Sequence, residues 1–183
     1  MADAPHAELN TPRLRLRVPT DDDAEFVLDV YSRRQVMRYI GTGQVQTTRE
    51  QAKQRIERYR SQFGRDRGFW LIERVSNRAP LGFALMKAIP FSEGVAAQQE
   101  DIEIGWHLHP DAWGSGFATE AAQALIDHAQ TVGLRRLVAV THPENTASQA
   151  VAHRLGMTHE GLTDRYYNTS CELFTLELKS AGS

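Results

Sequence analysis

The stretch PDAWGSGFATEAAQAL, residues 110–125, runs two closely spaced glycines straight into a series of strong helix formers. Three anion-binding devices use glycines in that position, and spacing separates them. A P-loop requires G-x-x-x-x-G-K-[ST], and no lysine lies in this loop or in the helix after it, which excludes that device. A dinucleotide fingerprint requires G-x-G-x-x-G/A. Here GSGFAT puts Thr119 at the third small position, and the strand before it alternates with charge instead of reading as uniformly apolar. The third device is a helix N-terminus whose consecutive backbone N–H groups, from Gly114, Ser115, Gly116, Phe117, Ala118 and Thr119, face a pyrophosphate. Glu120 must then point away from the anion. On the loop alone, a strand–turn–helix connection with glycines serving tight packing explains the stretch equally well.

The flanks favour a ligand. Before the loop, EDIEIGWHLH places Ile102, Ile104, Trp106 and Leu108 on one face of a strand and Glu103 and His107 on the other, polar one. After it, a helix to about Val132 stops at Gly133, and LVAV (137–140) reads as a short central strand. A crossover of this kind lays the two strands side by side. Gly105 predicts a bulge or bend that lets them splay, exposing unpaired backbone groups to an amide-bearing ligand. Pantetheine carries two amides and a pyrophosphate beyond them, so coenzyme A fits better than a dinucleotide.

Further out, Leu14, Leu16 and Val18 alternate as a half-buried strand. Thr20 caps a helix with Asp21 to Asp23 at its positive end and Phe26, Val27 and Val30 inward. Residues 41–46 form a loop, and Thr47–Thr48 open a second amphipathic helix carrying Ile56, Tyr59 and Phe63 as far as Gly64. Residues 69–75 and 81–89 make a hairpin, and residues 91–99 a polar loop. Asn145 caps a helix that ends at Gly156, and two more strands lie between His159 and Lys179. These elements predict one α+β domain over residues 9–179, between a flexible lead (1–8) and a short tail (180–183). Its sheet is mostly antiparallel.

The 183 residues carry a formal charge of -2, which gives no polyanion signal and argues against a nucleic-acid partner. The arginines between Arg49 and Arg67 are interrupted by acids and read as a solvated face. Cys171, the only cysteine, forms no internal disulfide or paired-cysteine zinc site, and its setting at a strand start makes it a buried bystander. No metal is expected. The absence of a signal-peptide pattern or a long apolar run predicts a cytoplasmic protein without a membrane partner.

Taken together, IEIGWHLHPDAWGSGFATEAAQALIDHA (102–129), ENTASQAVAHRLGM (144–157) and TPRLRLRVPTDDDAEFV (11–27) resemble the GNAT superfamily of acyl-CoA N-acyltransferases. They are most similar to its RimJ/RimL-like branch, over about residues 9–178. The resemblance implies a twisted mixed sheet flanked by helices and split between its fourth and fifth strands. It implies acetyl-CoA as cosubstrate, with pyrophosphate on the Gly114–Thr119 amides and Trp113 at the head of that loop. Pantetheine would pair with backbone at Leu108 and its neighbour His109, and Asn145 would contact the pantetheine arm. Many relatives carry a thiolate-protonating tyrosine seven residues after this asparagine; here Ala152 stands there.

An amine of pKa ~8 to ~10 needs a base near neutral pH. Glu103, resembling a glutamate used in several family members, is the candidate base, with His107 and His142 as weaker ones. Ser148 matches a serine that the RimL-like branch places near the coenzyme sulfur. Tyr166 and Tyr167 lie where the chain returns past the cleft mouth, in either a site or a packing role. The expected activity is direct transfer of acetyl to a primary amine, on a peptide N-terminus or a small molecule. The acceptor cleft is implied around residues 36–43 and 163–169. A non-catalytic acyl-CoA-binding module, a nicotinamide-dependent oxidoreductase and a partner-binding scaffold are the rival classes. Exposed strand edges allow a monomer or a homodimer.

Overall fold

The computed structural model describes residues 8–97 and 99–179. Of the lead expected at residues 1–8, only Glu8 is described, and the tail at 180–183 lies outside the described residues. Eight strands form one sheet in the order β1-β2-β3-β4-β5-β6-β8-β7. They are β1 (Leu9–Asn10), β2 (Leu14–Arg17), β3 (Gly68–Arg74), β4 (Pro80–Ala88), β5 (Ile102–Leu108), β6 (Arg136–Thr141), β7 (Thr158–Thr163) and β8 (Cys171–Glu177). All neighbours are antiparallel except β5 and β6. The helices are α1 (Ala24–Ser32), α2 (Arg34–Met37), α3 (Arg49–Arg60), α4 (Phe117–Thr131) and α5 (Thr146–Arg154).

Two cores sandwich the sheet. Val27, Val30, Tyr31, Ile56 and Tyr59 of α1 and α3 pack on Phe69, Leu71, Phe83 and Leu85. On the opposite face, α4 and α5 set Ala121, Leu125, Ala129, Val151 and Ala152 against Trp70, Ile72, Met86 and Ile104. In α4 the buried Phe117, Ala121, Ala122, Leu125, Ile126 and Ala129 follow the helical repeat. The helix ends as its sequence predicts. Gly133 takes φ 85° and donates to the Gln130 carbonyl, while Leu134 N–H reaches Ala129. Gly156 and Met157 close α5 in the same way, on His153 and Ala152.

Several expectations need correction. The four-residue α2 is an element the sequence does not predict, lying before the expected loop at residues 41–46, and α3 ends at Arg60, leaving Phe63 beyond the helix, edge-on to Trp70. The expected split between the fourth and fifth strands is present, and these are β5 and β6 here because the two-residue β1 is counted. Gly105 makes no bulge, because β4 and β5 pair without interruption from Gly82↔Leu108 to Ala88↔Ile102. The bulge lies instead in β4, where the register against β3 jumps from Ile72↔Gly82 to Glu73↔Pro80. The face bearing Glu103 is polar by composition but lies beneath α1 and α3, and Glu103 is buried. Among the described residues no helix is long and apolar enough to cross a membrane.

Candidate active site

β5 and β6 share one ladder pair, Glu103↔Val138. Beyond it β5 stays paired to β4 on one edge while its other edge meets no strand, so the sheet opens into a V with Glu103 at the point of divergence. A cleft of about 2920 Å³ runs through the opening. It exceeds the ~300–1,000 Å³ of ordinary small-ligand sites and can take a large coenzyme together with an acceptor.

At one end stands the glycine loop. A 3-10 turn at Pro110–Ala112 leads to Trp113, half-exposed, whose indole N–H donates to the Leu108 carbonyl at 3.0 Å. Gly114 and Gly116 adopt φ 73° and 78°, conformations that favour glycine, and Gly116 caps α4. The Thr119 hydroxyl is buried there without a hydrogen-bond partner. Glu120 turns away, held by Thr11 at 2.5 Å and by the Arg13 guanidinium at 2.6 Å. A free helix N-terminus, an orphaned hydroxyl and a diverted carboxylate together fit a pyrophosphate.

Along the cleft, the Asn145 side-chain oxygen (Oδ1) accepts from Ser148 N–H at 3.2 Å, which caps α5 and brings both residues to the wall. Glu103 is contacted by Tyr167, whose hydroxyl donates to its carboxylate, and by Lys87 directly opposite on β4, at 3.4 Å. Lys87 also donates to the Tyr167 hydroxyl at 2.6 Å. Burial raises the Glu103 pKa above the ordinary carboxylate value, with Lys87 and Tyr167 pulling the other way. Tyr167 and Asn168 have φ 60° and 54°, and this left-handed pair turns the tyrosine onto the carboxylate. Tyr166 is buried apart from the cleft, with its hydroxyl on Asp101 at 2.7 Å.

Of the residues singled out in the sequence, Glu103, Leu108, Trp113, Gly114, Gly116, Phe117, Ala118, Thr119, Asn145 and Ser148 line the cleft. His109 and Ser115 do not. His109 is turned toward α1, where Nε2 lies 3.0 Å from Asp29, and the Ser115 carbonyl accepts from Arg13 at 3.0 Å. The Leu108 carbonyl already accepts from the Trp113 indole N–H, which occupies one of its two lone pairs. Ala152 is buried in the core and cannot stand in for the missing tyrosine.

His107 lines the cleft beside Tyr31, and burial, followed by the charges of Arg55 and Lys87, lowers its pKa to about 3. His142 stacks on Tyr39 at 5.0 Å, next to an Arg38–Glu144 ion pair of 2.9 Å that ties the end of α2 to the loop before α5. Cys171 also reaches the cleft, but burial, then the nearby acids, push its thiol up to about 11, leaving it protonated at neutral pH.

The sequence marks neither Lys87 nor Arg55 as a site residue, and it allows Tyr167 either a site or a packing role. The alternation along β4, the second strand of the β3–β4 hairpin, could have flagged Lys87. Nothing local marks Arg55, which reads as one more solvent-facing arginine of α3.

Comparison with known proteins agrees with this geometry. A family model described as acetyltransferase (GNAT) domain matches residues 13–158. YoaA of Bacillus subtilis (strain 168), an uncharacterized N-acetyltransferase, is 31% identical over 160 residues, 86% of each chain. A GNAT-family acetyltransferase from Bacillus anthracis has a TM-score of 0.76 at 22% identity, covering 93% of this chain and 98% of its own. RimL, the ribosomal L7/L12 alpha-N-protein acetyltransferase, in complex with coenzyme A, has a TM-score of 0.75 at 19% identity, covering 94% and 98%. The chain belongs to the GNAT acetyltransferase family. It is an acetyl-CoA-dependent N-acyltransferase, and it shares its fold with RimL.

Proposed function

We propose that the protein moves the acetyl group of acetyl-CoA directly onto a primary amine, within a ternary complex and with no covalent enzyme intermediate. The acceptor is the N-terminal amine of a peptide or a small-molecule amine. The observation that carries this reading is Glu103, a buried carboxylate at the divergence of β5 and β6 that opens onto a cleft large enough for both substrates. Acetyl-CoA supplies the activated acetyl thioester. The amides from Gly114 to Thr119 hold its pyrophosphate, while Asn145 and the unpaired edge of β5 hold its pantetheine arm.

Forming the C–N bond and breaking the C–S bond releases a proton at nitrogen and requires one at sulfur. Glu103 takes the first; the Ser148 hydroxyl, on the cleft wall, keeps its proton and donates a hydrogen bond to the departing sulfur, which leaves as a thiolate and takes its proton from solvent. The raised pKa of Glu103 suits a base working near neutrality. The protonated Cys171 thiol supports direct transfer, because the chain's one cysteine is poorly disposed to carry an acyl group.

Initial rates measured over a grid of acetyl-CoA and amine concentrations test the order of events. Double-reciprocal lines that intersect, with activity kept in Cys171→Ala, are the expected result. Parallel lines, or an acetylated enzyme trapped before amine is added, would refute direct transfer.

A further inference from the structure

At the opposite end of β5 from Glu103, the same face of the sheet carries a cation that the reaction above does not use. Arg55 of α3 is half-buried and lines the cleft, with its guanidinium 3.9 Å from the centre of the Tyr31 ring. A guanidinium offers five N–H donors. Among the described residues the donor in use is Nη1, to the Tyr59 hydroxyl at 3.0 Å, while Nε is buried with no acceptor. No carboxylate among the described residues pairs with Arg55. Two other cations of the cleft are paired, Lys87 with Glu103 and Arg38 with Glu144.

Beyond the Tyr59 hydroxyl, the groups around Arg55 supply no further acceptor among the described residues. Tyr59 lies 2.9 Å from Tyr31 (hydroxyl to hydroxyl), and the Tyr31 hydroxyl lies 3.2 Å from His107 Nδ1. The arrangement that uses every hydroxyl proton runs from Arg55 to Tyr59 to Tyr31 to His107 Nδ1. It leaves the His107 proton on Nε2 as a further donor. Buried donors of a charged group are costly to leave unpaired, so this end of the cleft is built for something that accepts.

Glu103 and His107 are four residues apart on one strand, about 13 Å at ~3.3 Å per residue. A hydrogen bond of ~3 Å at each end leaves about 7 Å between reacting nitrogen and recognised group. Gly105, between them, contributes no side chain to that face, and Leu85 from β4 provides an apolar floor.

Resting on the acetyltransferase reading, we propose that Arg55, with Tyr31, Tyr59 and His107, forms a carboxylate subsite. The acceptor is then a primary amine with an acidic group about 7 Å from the nitrogen. Two sources share that chemistry: a peptide whose second residue is acidic, and a small ω-amino acid.

The test uses matched pairs, Ser-Asp-Ala-amide against Ser-Asn-Ala-amide and 6-aminohexanoate against 6-aminohexanamide. The wild-type protein is compared with Arg55→Met and Arg55→Lys. The wild type should favour the acid in one or both pairs by roughly ten- to hundredfold in kcat/KM, the range for a hydrogen bond to a charged group. The pair that responds identifies the source. Arg55→Met should remove the preference and Arg55→Lys restore part of it, with the KM for acetyl-CoA unmoved.

Equal use of acid and amide by the wild type in both pairs would overturn the subsite, as would a preference that survives Arg55→Met. If no amine is acetylated, the transfer reading itself fails. Calorimetric titration of the same four compounds then decides the subsite separately: Arg55-dependent binding of an acid sustains it, and its absence overturns it.

Discussion

Replacing Glu103 by glutamine is expected to lower kcat/KM for amine acetylation by roughly 10²–10³-fold at pH 7, within the range for loss of a positioned acid–base group. The side chain keeps its shape and loses its ability to take a proton. The wild-type enzyme can bind a protonated amine and remove the proton once Glu103 is ionised, so its rate rises with pH through the raised pKa of that carboxylate. The variant depends on amine that is already neutral, and its rate climbs until the amine's own pKa, ~8 for a peptide N-terminus. The ratio of wild type to variant should therefore be largest at low pH, above the Glu103 pKa, and shrink toward pH 8–9. A pH-rate series on both proteins with one amine makes the comparison. A loss that is constant across pH would assign Glu103 to positioning, and an unchanged rate would remove it from the chemistry.

Replacing Gly82 by alanine is expected to give the largest loss of stability. Gly82 follows the bulge in β4 with φ 153°, and a Cβ there would stand 2.2 Å from the His107 carbonyl oxygen and 2.7 Å from the Leu108 Cα. Both are backbone atoms of β5 and cannot swing aside as a side-chain tip could. Overpacking and backbone strain together amount to roughly 3–5 kcal/mol. At ~2–4 °C per kcal/mol for a chain of this size, the melting temperature should fall by about 6–20 °C. Gly133→Ala is the control. It also has positive φ, 85°, but nothing lies within 4 Å of its Cβ, so it carries only the conformational cost of ~1 kcal/mol. Equal melting temperatures for the two variants would mean that the β4–β5 crossing is not tight, and that β5 is not held at the position the site requires.

The parts of the molecule legible in the sequence are those set by local periodicity and capping. The helix after Gly116, its stop at Gly133, the Asn145 cap and the alternation of β5 all follow from neighbours a few residues apart. Glu103 emerged from that alternation, but its burial did not. The face it shares with His107 looks solvent-directed until α1 and α3, far away in sequence, are packed upon it. The distortion expected at Gly105 arises at Gly82 because the bulge is decided by pairing with β3, not by β5 itself. His109 looked like a continuation of the strand edge, but its ring is drawn to Asp29 of α1. Tyr167 and Arg55 are likewise placed by distant partners, Glu103 and the Tyr31 ring, and in neither case does composition distinguish a cleft wall from a surface. The glycine loop is the exception, because its chemistry belongs to the backbone and is written in small residues.

The claim on which the rest depends is that this loop holds the coenzyme, and calorimetric titration with acetyl-CoA tests it most directly. Ala118→Glu sets a negative charge on the cleft wall, in the first turn of α4 beside the loop amides, without the left-handed strain that any side chain would suffer at Gly114 or Gly116. NADH serves as the control ligand. The structure predicts that the wild type binds acetyl-CoA and not NADH, and that the variant binds acetyl-CoA at least ~10-fold more weakly, as expected when a charge-assisted anion site gains a like charge. A wild-type protein that does not bind acetyl-CoA, or a variant that binds it equally well, would contradict the assignment of the Gly114–Thr119 loop.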